Sequence, residues 1–313
     1  MIFNDHLRSP LELVIEVTNR CNLSCLYCYC DECVNRCPKE DLSFDTFTKI
    51  IDEVYDLDIF QICINGGECF LHKDIFKMFD YIINKNLDFS IVTNGALLDK
   101  EKIGFLHDRN LIFNLQISVD SHIPEIHNQV RGMFKETLNG INLIIDNYND
   151  RPNLGGVIHK QNYQTFPDTL EYFSSKCSNF HLMNIQASQK AMENKDLLYI
   201  DPETLATFWS NIEEVGDRLS LKLDIYENDL KPLETARFTG CTAGKTKLVV
   251  KPNLDIIPCD ITRDIIFGNL KSQTLEEIWN SDKRKEIGNS RIEPCYELNK
   301  KWYLEQPIEV RGI

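Results

Sequence analysis

The residues best able to do chemistry in this chain are three thiols within one short stretch, Cys21-Asn-Leu-Ser-Cys25-Leu-Tyr-Cys28. They follow closely on the apolar residues 11–17, so they read as a loop leaving a buried strand. Cysteine thiolate is the ligand that iron–sulfur clusters take, and closely spaced thiolates can bend around one corner of such a cluster. Four ligands close a cluster off, whereas three leave one iron with an open position for chemistry. A zinc knuckle competes for any cysteine-rich loop. Zinc sites, however, usually show two Cys-x-x-Cys pairs, and this loop spaces its thiols by three and then two.

A loop of thiols needs elements to hold it. β-Branched and apolar runs mark strands at residues 11–17, 60–64, 89–93, 112–119, 155–159 and 180–185. Between them lie helical patterns. One begins after the candidate N-cap Ser43 and carries Phe44, Phe47, Val54 and Leu57. Others span 74–84 and 100–108, and two more carry Leu138, Ile141 and Ile144, then Phe166, Leu170 and Phe173. Strand and helix in alternation imply parallel βαβ units with right-handed crossovers. The polar residues that stand out lie at strand C-terminal ends, where parallel α/β folds place ligands. They are Gly66-Gly67-Glu68, Thr93-Asn94 and Ser118-Val-Asp120, followed by His127 and Arg131.

Residues 191–230 read as a linker with one helix and one alternating strand, 221–225. Beyond Cys241 the character changes. Two short β runs around Pro252-Asn-Leu-Asp255 form a hairpin, and a short helix starts at Thr274. Cys259, Asp260 and Cys295 belong to this segment. A second triad, Cys30, Cys33 and Cys37, reads equally as reduced thiols, a zinc site or a further cluster.

Composition narrows the function classes. The chain has 313 residues, a net charge of −14 and twelve cysteines. An acidic balance argues against nucleic acid as partner, since a phosphate backbone calls for a basic face. No signal peptide and no apolar stretch of membrane-spanning length is present, so a reducing cytoplasm with thiols in metal or redox work is expected.

The cysteine loop, with Tyr27 just before its third thiol, resembles the signature of radical SAM enzymes. The resemblance runs from residue 11 to about 190 and implies an open, partial (β/α)6 barrel within an α/β fold. It also implies a [4Fe–4S] cluster on Cys21, Cys25 and Cys28 whose open iron takes S-adenosylmethionine (SAM), cleaved to a 5′-deoxyadenosyl radical. Gly66, Gly67 and Glu68 then correspond to the segment that binds the methionyl amine, and Tyr27 offers its backbone to the adenine. Asn94 lies at the mouth, and Ser118 and Arg131 lie near the ribose and carboxylate. Cys69 stands where many relatives have proline.

The C-terminal part resembles the SPASM/twitch modules that hold auxiliary clusters. Only Cys241, Cys259 and Cys295 are available there, so one such cluster is the most it can hold unaided, with a fourth ligand free or borrowed from Cys177 or elsewhere. Asp260 reads either as a proton acceptor beside an electron sink or as a turn carboxylate. The domains expected are a barrel at 1–190, a linker at 191–230 and a β-hairpin/helix module at 231–313. The function implied is radical modification of a peptide or protein side chain with an oxidative outcome, such as a crosslink or thioether. A flavodoxin or ferredoxin would supply electrons. The first strand begins near residue 11, so a leader on the substrate would need the barrel mouth or a separate recognition partner. The alternatives are a twitch-type dehydrogenase of a small hydroxylated metabolite and a non-catalytic iron–sulfur or zinc protein.

Overall fold

Ten strands form one sheet in the computed structural model, which describes residues 7–30, 39–225, 242–289 and Trp302. In chain order they are β1 (Glu12–Glu16), β2 (Gln61–Asn65), β3 (Phe89–Thr93), β4 (Leu115–Ser118), β5 (Asn153–Ile158), β6 (Asn179–Asn184), β7 (Lys222–Ile225), β8 (Lys247–Val250), β9 (Asp255–Ile257) and β10 (Gly268–Asn269). The spatial order is β10-β9-β8-β1-β2-β3-β4-β5-β6-β7. From β1 to β7 every neighbouring pair is parallel. The sheet is not closed: β7 and β10 stand at its two ends, as a partial barrel requires.

The crossover helices include α1 (Phe44–Asp56), α2 (Ile75–Asn84), α3 (Lys100–Asp108), α4 (Pro124–Val130), α5 (Phe134–Tyr148) and α6 (Phe166–Phe173). Ser43 caps α1 as its type predicts, accepting from Thr46 N at 3.2 Å. Residues alternate along β3, β4 and β6 between fully and partly buried. The fully buried set, with Ile91, Ile117 and Leu182, joins Phe79, Ile144 and Phe173 of the helices in the main core. The other set, Ser90, Gln116, Ser118 and His181 among them, is small or polar and lies on the opposite face of the sheet.

Two expectations change. The strand predicted at 112–119 starts later, because Ile112–Asn114 forms a 3-10 turn that leaves only Leu115–Ser118 extended. Residues 222–225, read as a linker strand, pair in parallel with β6 and extend the sheet, preceded by the helix Pro202–Leu219.

The C-terminal hairpin is part of the same sheet. β8 pairs in parallel with β1, and β9 runs antiparallel to β8. Register places Cys63, Val14, Val249 and Ile257 side by side, and they form a small apolar cluster across four strands. Beyond it, Arg263 grips Glu16 at the end of β1 with two hydrogen bonds of 2.7 and 2.9 Å, both residues buried. The Cys30 thiol donates to the same carboxylate at 3.5 Å. Among the described residues no helix is long and apolar enough to cross a membrane.

Among the described residues, Arg263→Met leaves the buried Glu16 carboxylate with the Cys30 thiol as its remaining side-chain partner. Breaking a buried pair from one side costs about 3–5 kcal/mol, so the urea denaturation midpoint falls clearly. The double variant E16M/R263M recovers most of that loss.

Candidate active site

The cysteine loop leaves β1 and is held at three places. Its start is gripped by the loop after β2, where Gly67 N donates to Thr18 O (2.8 Å) and Glu68 N to Arg20 O (2.7 Å). This approach explains the paired glycines. A Cβ on Gly66 would lie 2.4 Å from Thr18 O, and one on Gly67 would lie 2.2 Å from Arg20 O. Gly66 also has φ +147°, which side chains rarely adopt. The glycines thus admit the neighbouring backbone of the cysteine loop itself.

Glu68 is buried and fully engaged. Its carboxylate accepts from Thr93 Oγ1 (2.7 Å), Asn94 N (2.8 Å) and Phe70 N (3.2 Å). Burial nevertheless pushes its pKa up, against the pull of those donors. Asn94, at the end of β3, passes the restraint on, since its Nδ2 donates to Asn22 Oδ1 inside the cysteine loop at 2.9 Å.

The far end of the loop is clamped from another side. Leu26 N donates to Val130 O (2.9 Å), Asn194 Nδ2 to Leu26 O (3.1 Å) and Ser188 Oγ to Tyr27 O (3.2 Å). Leu26 and Tyr27 pack on a small core of Val130, Ile185, Ala187, Ala191, Leu198 and Trp302. The Tyr27 hydroxyl donates to Asp120 and accepts from Arg131 Nη1 at 2.5 Å.

Cys21, Cys25 and Cys28 are in the thiol form, outside any disulfide, and each is partly buried. Burial pushes Cys21 up to about 11 and raises Cys25 as well. Leu23 N points at the Cys21 sulfur from 3.4 Å, a contact that favours the thiolate. Among the described residues no three His, Cys, Asp or Glu side chains converge as ligands of one metal ion. A cubane places a different iron on each thiolate. The donor set, all sulfur on one restrained loop, therefore fits a three-thiolate cluster.

The remaining predicted residues fall as follows. Ser118 is partly buried at the end of β4, opposite Gly155. Arg131, just after α4, is partly buried, and its buried Nε has no hydrogen-bond partner among the described residues. Cys259 lies 3.2 Å from Thr262 Oγ1. Asp260 Oδ2 accepts from Lys247 Nζ at 3.3 Å, and its buried Oδ1 has no partner among the described residues. Cys33, Cys37, Cys241 and Cys295 lie outside the described residues. Cys177, offered as a borrowed ligand, lies between α6 and β6 and donates to Phe173 O at the end of α6. It lines a cavity with Asn149, Arg151 and Ser220, none of them from the C-terminal segment.

Sequence reasoning missed Arg263, and it singled out His127 without its pairing with His159 about Asp120. His127 and His159 are buried on either side of Asp120, with Asp120 N donating to His127 Nδ1 at 3.4 Å and His159 Nε2 3.9 Å from Asp120 Oδ2. Burial holds both down to about 4.

Parallel strands, a three-thiol loop at their C-terminal edge and an appended hairpin carrying a further cysteine define an iron–sulfur α/β protein of partial-barrel type. The comparisons agree. Residues 15–173, just over half of the chain, match the model of the radical SAM superfamily, and residues 241–300 match SPASM, an iron–sulfur cluster-binding domain. The chain belongs to the radical SAM superfamily.

Among its relatives, the antilisterial bacteriocin subtilosin biosynthesis protein AlbA of Bacillus subtilis (strain 168) is 25% identical over 283 residues. That alignment covers 87% of this chain but only 60% of AlbA. The PqqA peptide cyclase of Granulibacter bethesdensis is 26% identical over 286 residues, covering 88% of this chain and 75% of the cyclase. In fold, the chain resembles Streptococcus suis SuiB bound to its precursor peptide SuiA, with a TM-score of 0.77 and 19% identity over 90% of this chain and 67% of SuiB. It also resembles anSMEcpe with bound AdoMet, with a TM-score of 0.68 and 21% identity over 88% of this chain and 82% of the other.

Gly67→Ala drives a methyl group into backbone that cannot yield without moving the cysteine loop. The variant loses most iron uptake on anaerobic reconstitution. Gly104→Ala, whose Cβ meets only the end of the Tyr148 side chain at 3.1 Å, retains it.

The two histidines also predict a pH dependence. Between about pH 6.5 and 4 the unfolded chain binds protons that the folded one refuses, so stability falls as pH drops through that window. Each histidine accounts for about 2 kcal/mol lost at pH 5. His127→Gln should lower the proton uptake on unfolding near pH 5 by about one, measured from denaturation curves at pH 4.5–6.5.

Proposed function

We propose that this chain is a radical SAM enzyme that abstracts a hydrogen atom from a side chain of a peptide or protein, with an oxidative outcome. The carrying observation is the three-thiol loop, restrained at both ends and set at the C-terminal edge of a parallel sheet within the radical SAM match. The peptide substrate is supported by relatives whose names concern a bacteriocin and a peptide cyclase, and by a fold neighbour bound to a precursor peptide.

When bound, a [4Fe–4S] cluster supplies the electron that cleaves SAM to a 5′-deoxyadenosyl radical, and an auxiliary cluster accepts the electron the oxidised substrate releases. Cys21, Cys25 and Cys28 hold the first, and Cys241, Cys259 and Cys295 contribute to the second. The backbone of Gly66 and Gly67, backed by Glu68, borders the methionyl amine. Asn94 fixes the loop beside it, and Ser118 and Arg131 take the ribose and carboxylate, the guanidinium being suited to a bidentate pair. Tyr27 keeps one carbonyl lone pair beyond the Ser188 bond for the adenine. Lys247 holds Oδ2 of Asp260, while the unpartnered Oδ1 is the oxygen that receives the substrate's proton. A flavodoxin or ferredoxin supplies electrons, and a separate partner holds any leader the barrel mouth does not. The reducing cytoplasm suits such labile centres.

Anaerobically reconstituted protein is expected to hold about eight irons per chain, as two [4Fe–4S] clusters require, and to form 5′-deoxyadenosine with SAM and dithionite. Cys25→Ala abolishes that formation. Asp260→Asn retains it but lowers the yield of modified peptide at least tenfold, read by mass spectrometry. Iron without any 5′-deoxyadenosine, with candidate peptides present, would sink the enzymatic reading.

A further inference from the structure

Asp120 is fully buried just beyond β4, yet three separate elements converge on it. The Tyr27 hydroxyl donates to its Oδ2, bringing in the cysteine loop. Val157 N donates to its Oδ1 at 3.1 Å, bringing in β5. Arg131 Nη1, just after α4, lies 3.6 Å from the same Oδ1 while donating to the Tyr27 hydroxyl. Asn162 Nδ2 completes the junction by donating to Asp120 O at 2.8 Å and Val157 O at 2.8 Å.

The consequence lies in which part of Arg131 is used. A guanidinium has two edges, and Nη1 and Nε belong to different ones. Here Nη1 is committed to Tyr27 and Asp120, whereas the buried Nε has no partner among the described residues. A buried donor left unpaired is costly unless a ligand completes it. The edge carrying Nε is the one that receives a carboxylate side-on.

We propose that Asp120 is a positioning residue for SAM: through the Tyr27 hydroxyl it fixes the cysteine loop between Cys25 and Cys28 and turns the free edge of Arg131 toward the methionyl carboxylate. This rests on the radical SAM reading. It assigns Asp120 no contact with SAM. It also gives the Tyr27 side chain a task distinct from that of its backbone.

The test uses full-length reconstituted protein. Iron content, SAM affinity by calorimetry and the electron paramagnetic resonance spectrum of the reduced cluster with and without SAM are measured for wild type, D120N and Y27F. D120N is expected to keep wild-type iron at the three-thiol loop but bind SAM at least tenfold more weakly. The spectral change that SAM causes should be lost at concentrations that saturate wild type. Y27F, which cuts both hydroxyl bonds and leaves Asp120 on Val157, should shift in the same direction by a smaller factor. D80N, which breaks the outlying ion pair with Arg109, should change nothing.

Wild-type SAM affinity in both D120N and Y27F overturns the proposal. Should D120N fail to hold iron, Y27F alone decides. A wild-type protein that holds iron and binds no SAM fails the underlying reading, and the positioning role falls with it.

Discussion

Burial of carboxylates at the ends of β-strands is the constraint on which the active-site architecture depends. The cysteine loop has almost no ladder of its own, so nothing in regular secondary structure fixes its course. Glu16 ends β1, Glu68 follows β2 and Asp120 follows β4, each 0 or 1% exposed. Each gathers donors from elements far apart in sequence. Glu68 takes the end of β3, Asp120 takes the loop's own tyrosine, and Glu16 takes both Cys30 at the loop's far end and Arg263. A buried carboxylate is expensive unless its lone pairs are filled, and that expense is what makes the arrangement specific. A loop position that breaks one of these contacts strands a charge away from water.

The same logic accounts for what could be read from the sequence. Strands and helices were legible because apolar periodicity reports which face is buried, and the alternation from β1 to β6 needed little else. β4 was drawn too long because the apolar run continues through Ile112 and Phe113, although those residues turn before the strand begins. β7 is legible as a strand from its alternation, but its exposed and half-buried residues carry no sign that it pairs with β6 as the edge of the main sheet. The parallel pairing of β8 with β1 leaves no periodic trace, since it joins segments far apart in sequence.

Within the site, spacing drew attention to the cysteines and to Gly66, Gly67 and Glu68, because those features are local in sequence. Their environments were not local. The glycines turned out to accommodate Thr18 and Arg20 of the neighbouring loop, a close approach visible only once β1 and β2 are paired. Arg263 carried no signal at all, for its partner lies 247 residues away. Asp120 stood in view as the residue ending a strand motif, but only tertiary structure shows Tyr27, Val157 and Arg131 meeting there.

The pairing of β1 with β8 also bears on how the chain is made. β1 leaves the ribosome before β2 to β7, which can assemble on one of its sides as they follow. Its other side has no strand to meet until residues 247–250 emerge. Until then the nascent barrel presents the open edge of an apolar strand, the kind that recruits other strands. So distant a contact also closes slowly. Expression yield should respond more to changes along this one seam than to changes of equal size between β3 and β6.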